Sequence, residues 1–267
     1  MVRSNLLQRV LTATILIPIA LFIIFKGNEK VLFWIISVIC VASYFEYCEM
    51  SRFKNYLDKI LGSLFVVLLL FVFVFYENYY PMFLTFYFCF YLSYLLFRYG
   101  PENFTVSAGQ QILAILYFST LLGFAMKIFF LEKGRVWIFL LLLVNWLTDS
   151  FAYFSGTLLG KHHFSQISPK KTIEGLVGGI IGGIISVVFV NTFLLKISQW
   201  FEMFILGILG SIFGQIGDLF ESGIKRSFGV KDSGTIIPGH GGFMDRFDSL
   251  FFTSPLFYFF VKFIFRG

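Results

Sequence analysis

The chain has 267 residues, of which 58% are hydrophobic and only 13% charged, and its mean hydropathy is +0.83. That balance excludes an ordinary water-soluble domain, because apolar runs of this density need hydrocarbon around them. The net charge of +6 does not point to nucleic acid, since the Lys and Arg residues sit in short loops flanking apolar runs, where phosphate ligands or anionic lipids fit better.

A spanning helix needs ~20 residues to cross ~30 Å of hydrocarbon. About nine runs meet that length, centred near Ile17, Val38, Leu68, Tyr87, Phe118, Leu142, Ile184, Leu209 and Leu256. Helices follow from the need to satisfy every backbone group inside lipid. The expected fold is an all-α, polytopic membrane bundle, and residues 1–267 read as a single membrane-embedded domain. Met1 to Arg9 is a basic lead into an apolar stretch containing Pro18, which suits either a secretory signal or a retained first span. No convincing cleavage site follows, so the retained span is the preferred reading. Glu46 and Glu49 close the second run; they either line a cavity or sit at headgroup level, and the second reading is preferred. Cys40, Cys48 and Cys89 lack metal-ligand spacing and read as small hydrophobes.

The loop set that includes Arg52, Lys54, Lys170, Lys171, Lys225 and Arg226 is richer in Lys and Arg than the set that includes Lys26, Lys30 and Lys196. The positive-inside rule places the richer set, with the N-terminus, in the cytoplasm. Past the sixth run, Asp149 and Tyr153 share a helical face that Gly156 and Gly160 continue. Ser168 before Pro169 predicts a helix start, and Lys170 and Lys171 there make an anion site or a basic loop anchored on headgroups. In the seventh run Gly175, Gly178, Gly179, Gly182 and Gly183 have small-residue spacing, as do Gly207, Gly210 and Gly214 in the eighth, and both stripes predict close helix packing.

The most informative segment runs from Gly214 to Ser249. If the eighth helix continues, Asp218, Glu221, Ser222 and Lys225 project from one face. A carboxylate near hydrocarbon is costly and usually faces a bundle interior or cavity; the alternative for Asp218 is a capping role at a helix end. Asp245 and Asp248 stand three apart at the entrance to the last run, with Arg246 between them. Two acidic helix ends supply oxygen ligands, and the prediction is a Mg²⁺ site built from Asp218 and Asp245. Between them lie Lys225, Arg226 and Lys231, then Pro238, His240, Gly241 and Gly242, a turn suited to phosphate oxygens. His240 reads equally as a structural hydrogen-bonding residue or as a phosphate contact.

This segment resembles the signature of the phosphatidate cytidylyltransferase (CDP-diacylglycerol synthase) family. The matching residues are Ser222, Lys225, Arg226, Lys231, Asp232, Gly234, Pro238, His240, Gly241, Gly242, Asp245, Arg246 and Asp248. Asp149, Ala152, Tyr153, Gly156, Gly160 and the Ile167 to Gly175 run add to the likeness, as do Arg9, Thr12 and Pro18 more weakly; Gly223 and Gln166 depart from it. The resemblance implies a multispan enzyme, often dimeric, in the bacterial inner membrane, with a cytoplasm-facing cavity open sideways to lipid. Its substrates would be CTP and phosphatidic acid, its metal Mg²⁺, and its second ion K⁺. Asp218 and Asp245 would hold the metal with Asp248 and Asp149 in support. Lys225, Arg226, Arg246 and Lys231 would neutralise phosphates, with Lys170, Lys171, Ser222, His240, Gly241 and Gly242 binding substrate. A CTP-using lipid kinase and an anion transporter are the rival readings; the full signature disfavours the first, and the absence of an internal repeat disfavours the second.

Overall fold

A computed structural model describes residues 14, 17–51, 53, 55–234 and 241–266. The regular elements among these residues are all helices, and the one β contact among them is an isolated bridge between His163 and Thr172. The helices are α1 (Ile17–Lys26), α2 (Glu29–Met50), α3 (Tyr56–Phe75), α4 (Tyr80–Phe86), α5 (Leu92–Leu116), α6 (Leu122–Phe129), α7 (Gly134–Leu159), α8 (Ile173–Val190), α9 (Trp200–Ser227) and α10 (Met244–Phe259). Side-chain caps fix several starts. Asn28 accepts from the Val31 amide, Asn55 from that of Leu57 and Thr172 from that of Gly175, each satisfying a donor that the first turn leaves without a partner.

Seven helices among the described residues are long and apolar enough to cross a membrane. The predicted count of about nine differs for two reasons. The first predicted span is described only as the short α1, and the fourth and fifth lie in one segment, Glu77–Phe129, of 53 residues. At ~1.5 Å per residue that segment is more than twice the ~30 Å of hydrocarbon. Gly100 turns it with φ 70, a conformation that a side chain resists, and Pro101 follows. Tyr80 Oη and Thr120 Oγ1 then meet at 2.6 Å on either side of the bend, so the two arms run antiparallel.

One end of the bundle gathers the C-terminus of α2, the N-terminus of α3, the Gly100 bend, the α7–α8 loop and the α9–α10 junction. The fully buried carboxylate of Asp58, in the first turn of α3, ties the bend down by accepting from Tyr94 Oη at 2.7 Å and Tyr99 Oη at 2.5 Å. Buried charge is tolerated only with such donors. Tyr47 Oη reaches the Gln110 carbonyl at 3.0 Å, joining α2 to α5 at the same end.

The glycine stripes pack helices, as the sequence predicts. A Cβ on Gly182 would lie 2.5 Å from the Leu147 carbonyl of α7, and one on Gly183 would lie 1.9 Å from Ser211 Oγ and 2.6 Å from the Gly207 carbonyl of α9. α8 is thereby wedged between α7 and α9. Hydroxyls and amides bond across the seams, with Thr148 Oγ1 and Ser211 Oγ at 2.9 Å and Asn145 Nδ2 donating to Thr253 Oγ1 at 3.0 Å. Gly183→Val is expected to force α8 off α9 and lower stability by about 1–3 kcal/mol, read as earlier melting of the protein in detergent.

Candidate active site

α9 runs unbroken to Ser227, so Gly223 does not interrupt it and Asp218, Glu221, Ser222 and Lys225 share one face as predicted. The start of α8 differs from expectation. Ser168 does not cap it; the Lys171 amide first closes a turn onto the Ser168 carbonyl at 3.0 Å, and Thr172, held extended, is the cap. The physical cause is the short pairing with the chain after α7, in which the Ile173 amide donates to the His162 carbonyl at 2.9 Å. Glu174 pins that chain, accepting from the amides of Lys161 and His162 at 3.2 and 3.3 Å.

These elements enclose a cavity of about 330 Å³, whose polar lining includes Asp149, Tyr153, Lys170, Lys171, Gln215 and Asp218. Lys171 Nζ bridges its walls, 2.8 Å from Asp218 Oδ2 and donating to the Gln215 carbonyl at 3.1 Å. Ser222 Oγ donates to Asp218 Oδ1 at 3.4 Å. Asp149 on α7 and Asp248 on α10 both lie within electrostatic reach of Asp218 and of each other, and Arg246 within reach of Asp149. Close helix contact makes this convergence possible, since a Cβ on Gly217 would stand 2.8 Å from the Asp248 carbonyl.

A second cluster adjoins the first. Lys225 Nζ lies 2.5 Å from Glu221 Oε2 and 2.6 Å from Asp245 Oδ1. Asp245 Oδ2 accepts from the amides of Ser233 at 3.1 Å and Gly242 at 3.0 Å and from Ser233 Oγ at 3.0 Å. The Gly242 amide, expected to face phosphate, is thus engaged by Asp245 instead. Gly241 has φ +83, the left-handed turn that its lack of a side chain permits.

Not every predicted residue comes to the cavity. Arg226 is exposed and donates to the Val230 carbonyl at 2.8 Å, closing the turn after α9, and Lys231 is exposed beside it. Pro238 and His240 lie outside the described residues, as do Arg9 and Thr12. Asp218 and Asp245 are each held by a different lysine, and among the described residues no group of three or more His, Cys, Asp or Glu is arranged to hold a metal ion.

Glu46 corrects the headgroup-level expectation. Its carboxylate is buried and accepts from Ser233 Oγ at 2.8 Å and from the amides of Phe243 at 2.8 Å and Met244 at 2.9 Å. Sequence spacing offered no signal, because these partners lie 187 to 198 residues away. Glu49, by contrast, is mostly exposed and pairs with Lys59 at the bundle end. Ser233 and Gln215 were likewise absent from the sequence-based site, being neutral residues whose role depends on a neighbouring helix.

Fold and site together define a class, a multi-pass helical membrane protein whose carboxylates and lysines converge from separate helices at one end of the bundle. The chain belongs to the cytidylyltransferase family, whose sequence model matches residues 7–264. It is 50% identical over 127 residues to the phosphatidate cytidylyltransferase of Staphylococcus saprophyticus, covering 47% of this chain and 48% of that protein. It is 42% identical over 170 residues to the phosphatidate cytidylyltransferase of Staphylococcus aureus, covering 62% of this chain and 63% of that one. The chain spans about half to two thirds of the length of these curated relatives.

Proposed function

We propose that this protein is a CTP:phosphatidate cytidylyltransferase, a single membrane-embedded catalytic domain that makes CDP-diacylglycerol and pyrophosphate. The observation that carries this reading is the convergence of Asp149, Asp218 and Asp248 from three helices beside Lys171, with Lys225 and Asp245 adjoining. A triphosphate and an anionic lipid repel each other, and cationic side chains between them lower that barrier. Lys170, Lys171 and Arg246 neutralise phosphate oxygens, and Ser222 and Gly241 complete the binding surface.

In the reaction an oxygen of the phosphatidate monoester forms a bond to the α-phosphorus of CTP. The bond from that phosphorus to the bridging oxygen breaks and pyrophosphate leaves. Phosphatidate arrives ionised, so the side chains need only orient the two phosphates in line. The carboxylates are hard oxygen donors whose mutual repulsion favours a cation, which fits Mg²⁺, with K⁺ as the second ion. Asp218 and Asp245, which Lys171 and Lys225 hold here, would hold the metal with Asp149 and Asp248 in support, and the ion would withdraw charge from the nucleotide phosphates. The excess of Lys and Arg in one set of loops supports a site facing the cytoplasm from a bacterial inner membrane, and the family resemblance supports a homodimer as the working unit.

The test uses the purified chain in phosphatidate-containing vesicles with CTP labelled at either the α- or the γ-phosphorus. The expected result is α-label in lipid, abolished by a chelator and restored by Mg²⁺. γ-Label in lipid would establish a lipid kinase instead, and solute uptake without CTP turnover a transporter.

A further inference from the structure

The carboxylate of Glu46 binds two separated points of the chain next to the proposed site. It accepts from Ser233 Oγ on one side and from the Phe243 and Met244 amides on the other. These amides are the unpaired donors at the start of α10, which has no side-chain cap of its own. A full negative charge suits that position, because the helix N-terminus carries partial positive charge. Ser233 Oγ lies 3.0 Å from Asp245 Oδ2 as well, so the single proton of this hydroxyl is shared between Glu46 and Asp245 and links them. The glycines nearby make room for the carboxylate. A Cβ on Gly242 would lie 2.3 Å from Glu46 Oε2, and one on Gly234 would lie 3.0 Å from Glu46 Oε1.

We infer that Glu46 is a positioning residue for nucleotidyl transfer, clamping the first turn of α10 so that Asp245, Arg246 and Asp248 meet the phosphates in fixed register. This rests on the cytidylyltransferase reading. Glu46 touches no reacting atom; it acts through backbone amides and Ser233. α2 thereby becomes part of the catalytic apparatus, although it carries no part of the signature.

The discriminating variant is Glu46→Gln in the full-length protein. It keeps size and shape, but its amide group must point a donor at groups that are themselves donors. The expected result is a kcat lowered about 10- to 100-fold, the scale seen when outer-shell partners are lost, with the KM for CTP within about threefold of wild type. Hydrogen exchange of the peptide covering Gly242 to Arg246 should accelerate, while exchange in α7 and α8 stays unchanged. Glu46→Asp, which retains the charge, should recover part of the lost kcat. Wild-type kcat and exchange in Glu46→Gln would overturn the inference, as would a change confined to KM. If Glu46 variants fail to fold, Ser233→Ala tests the same clamp through its other arm, and wild-type kcat there overturns it. Hydrogen exchange is read without CTP, so a wild-type protein inert towards CTP would reject the functional reading while the exchange result still judges the clamp.

Discussion

Lys225→Met is expected to abolish CTP turnover and to destabilise the protein by about 3–5 kcal/mol, the cost of breaking a buried ion pair from one side. The Lys225 ammonium lies between Glu221 and Asp245, and the three side chains are 11%, 0% and 10% exposed. Without it, two carboxylates from α9 and α10 face each other with no intervening cation. Glu221 suffers most, because it is fully buried and its contact with Lys225 is what compensates its charge. The double variant Glu221→Gln/Lys225→Met removes one anion along with the cation. It should recover most of the lost stability, measured by thermal melting in detergent, and none of the turnover. Equal melting temperatures for the wild type and Lys225→Met would contradict the ionic account of this junction.

Asp218→Asn and Asp245→Asn should each lower kcat by at least about 10²- to 10³-fold, as loss of a preorganised electrostatic group does. Their effects on folding should part company. The Asp218 side chain is 38% exposed and its pairing with Lys171 opens onto the cavity, so Asp218→Asn should melt near the wild-type temperature. Asp245 is 10% exposed and gathers a lysine, two amides and a hydroxyl, so Asp245→Asn should also melt earlier. Near-normal turnover of either variant would remove that carboxylate from the proposed metal site.

The two variants mark the limit of what spacing along the chain can reveal. Asp218, Glu221, Ser222 and Lys225 could be set on one face from the sequence, because a helix of fixed pitch determines relative direction. Which of these groups meet which partner could not. The sequence pairs Asp218 with Asp245 but does not reveal that Asp218 also meets Lys171 and Asp245 meets Lys225, or that Asp149 and Asp248 come within electrostatic reach of Asp218. Arg226 shows the same limit from the other side. It belongs to the signature, yet its guanidinium closes the turn after α9 at Val230.

Membrane insertion, helical class and the tight packing of α8 were all determined by the sequence alone, because run length, the hydrogen-bond demand of lipid and small-residue spacing are local properties. The turn at Gly100 falls in the polar stretch from Arg98 to Asn103 that already separates the fourth and fifth runs in the sequence, but the pairing of the two arms across it was not legible there. Only the tertiary structure could decide the role of Glu46. Its acidity makes it a good ligand for any set of free amides, but the α10 amides it caps come from a helix nearly two hundred residues further on, delivered to it by the way the bundle closes.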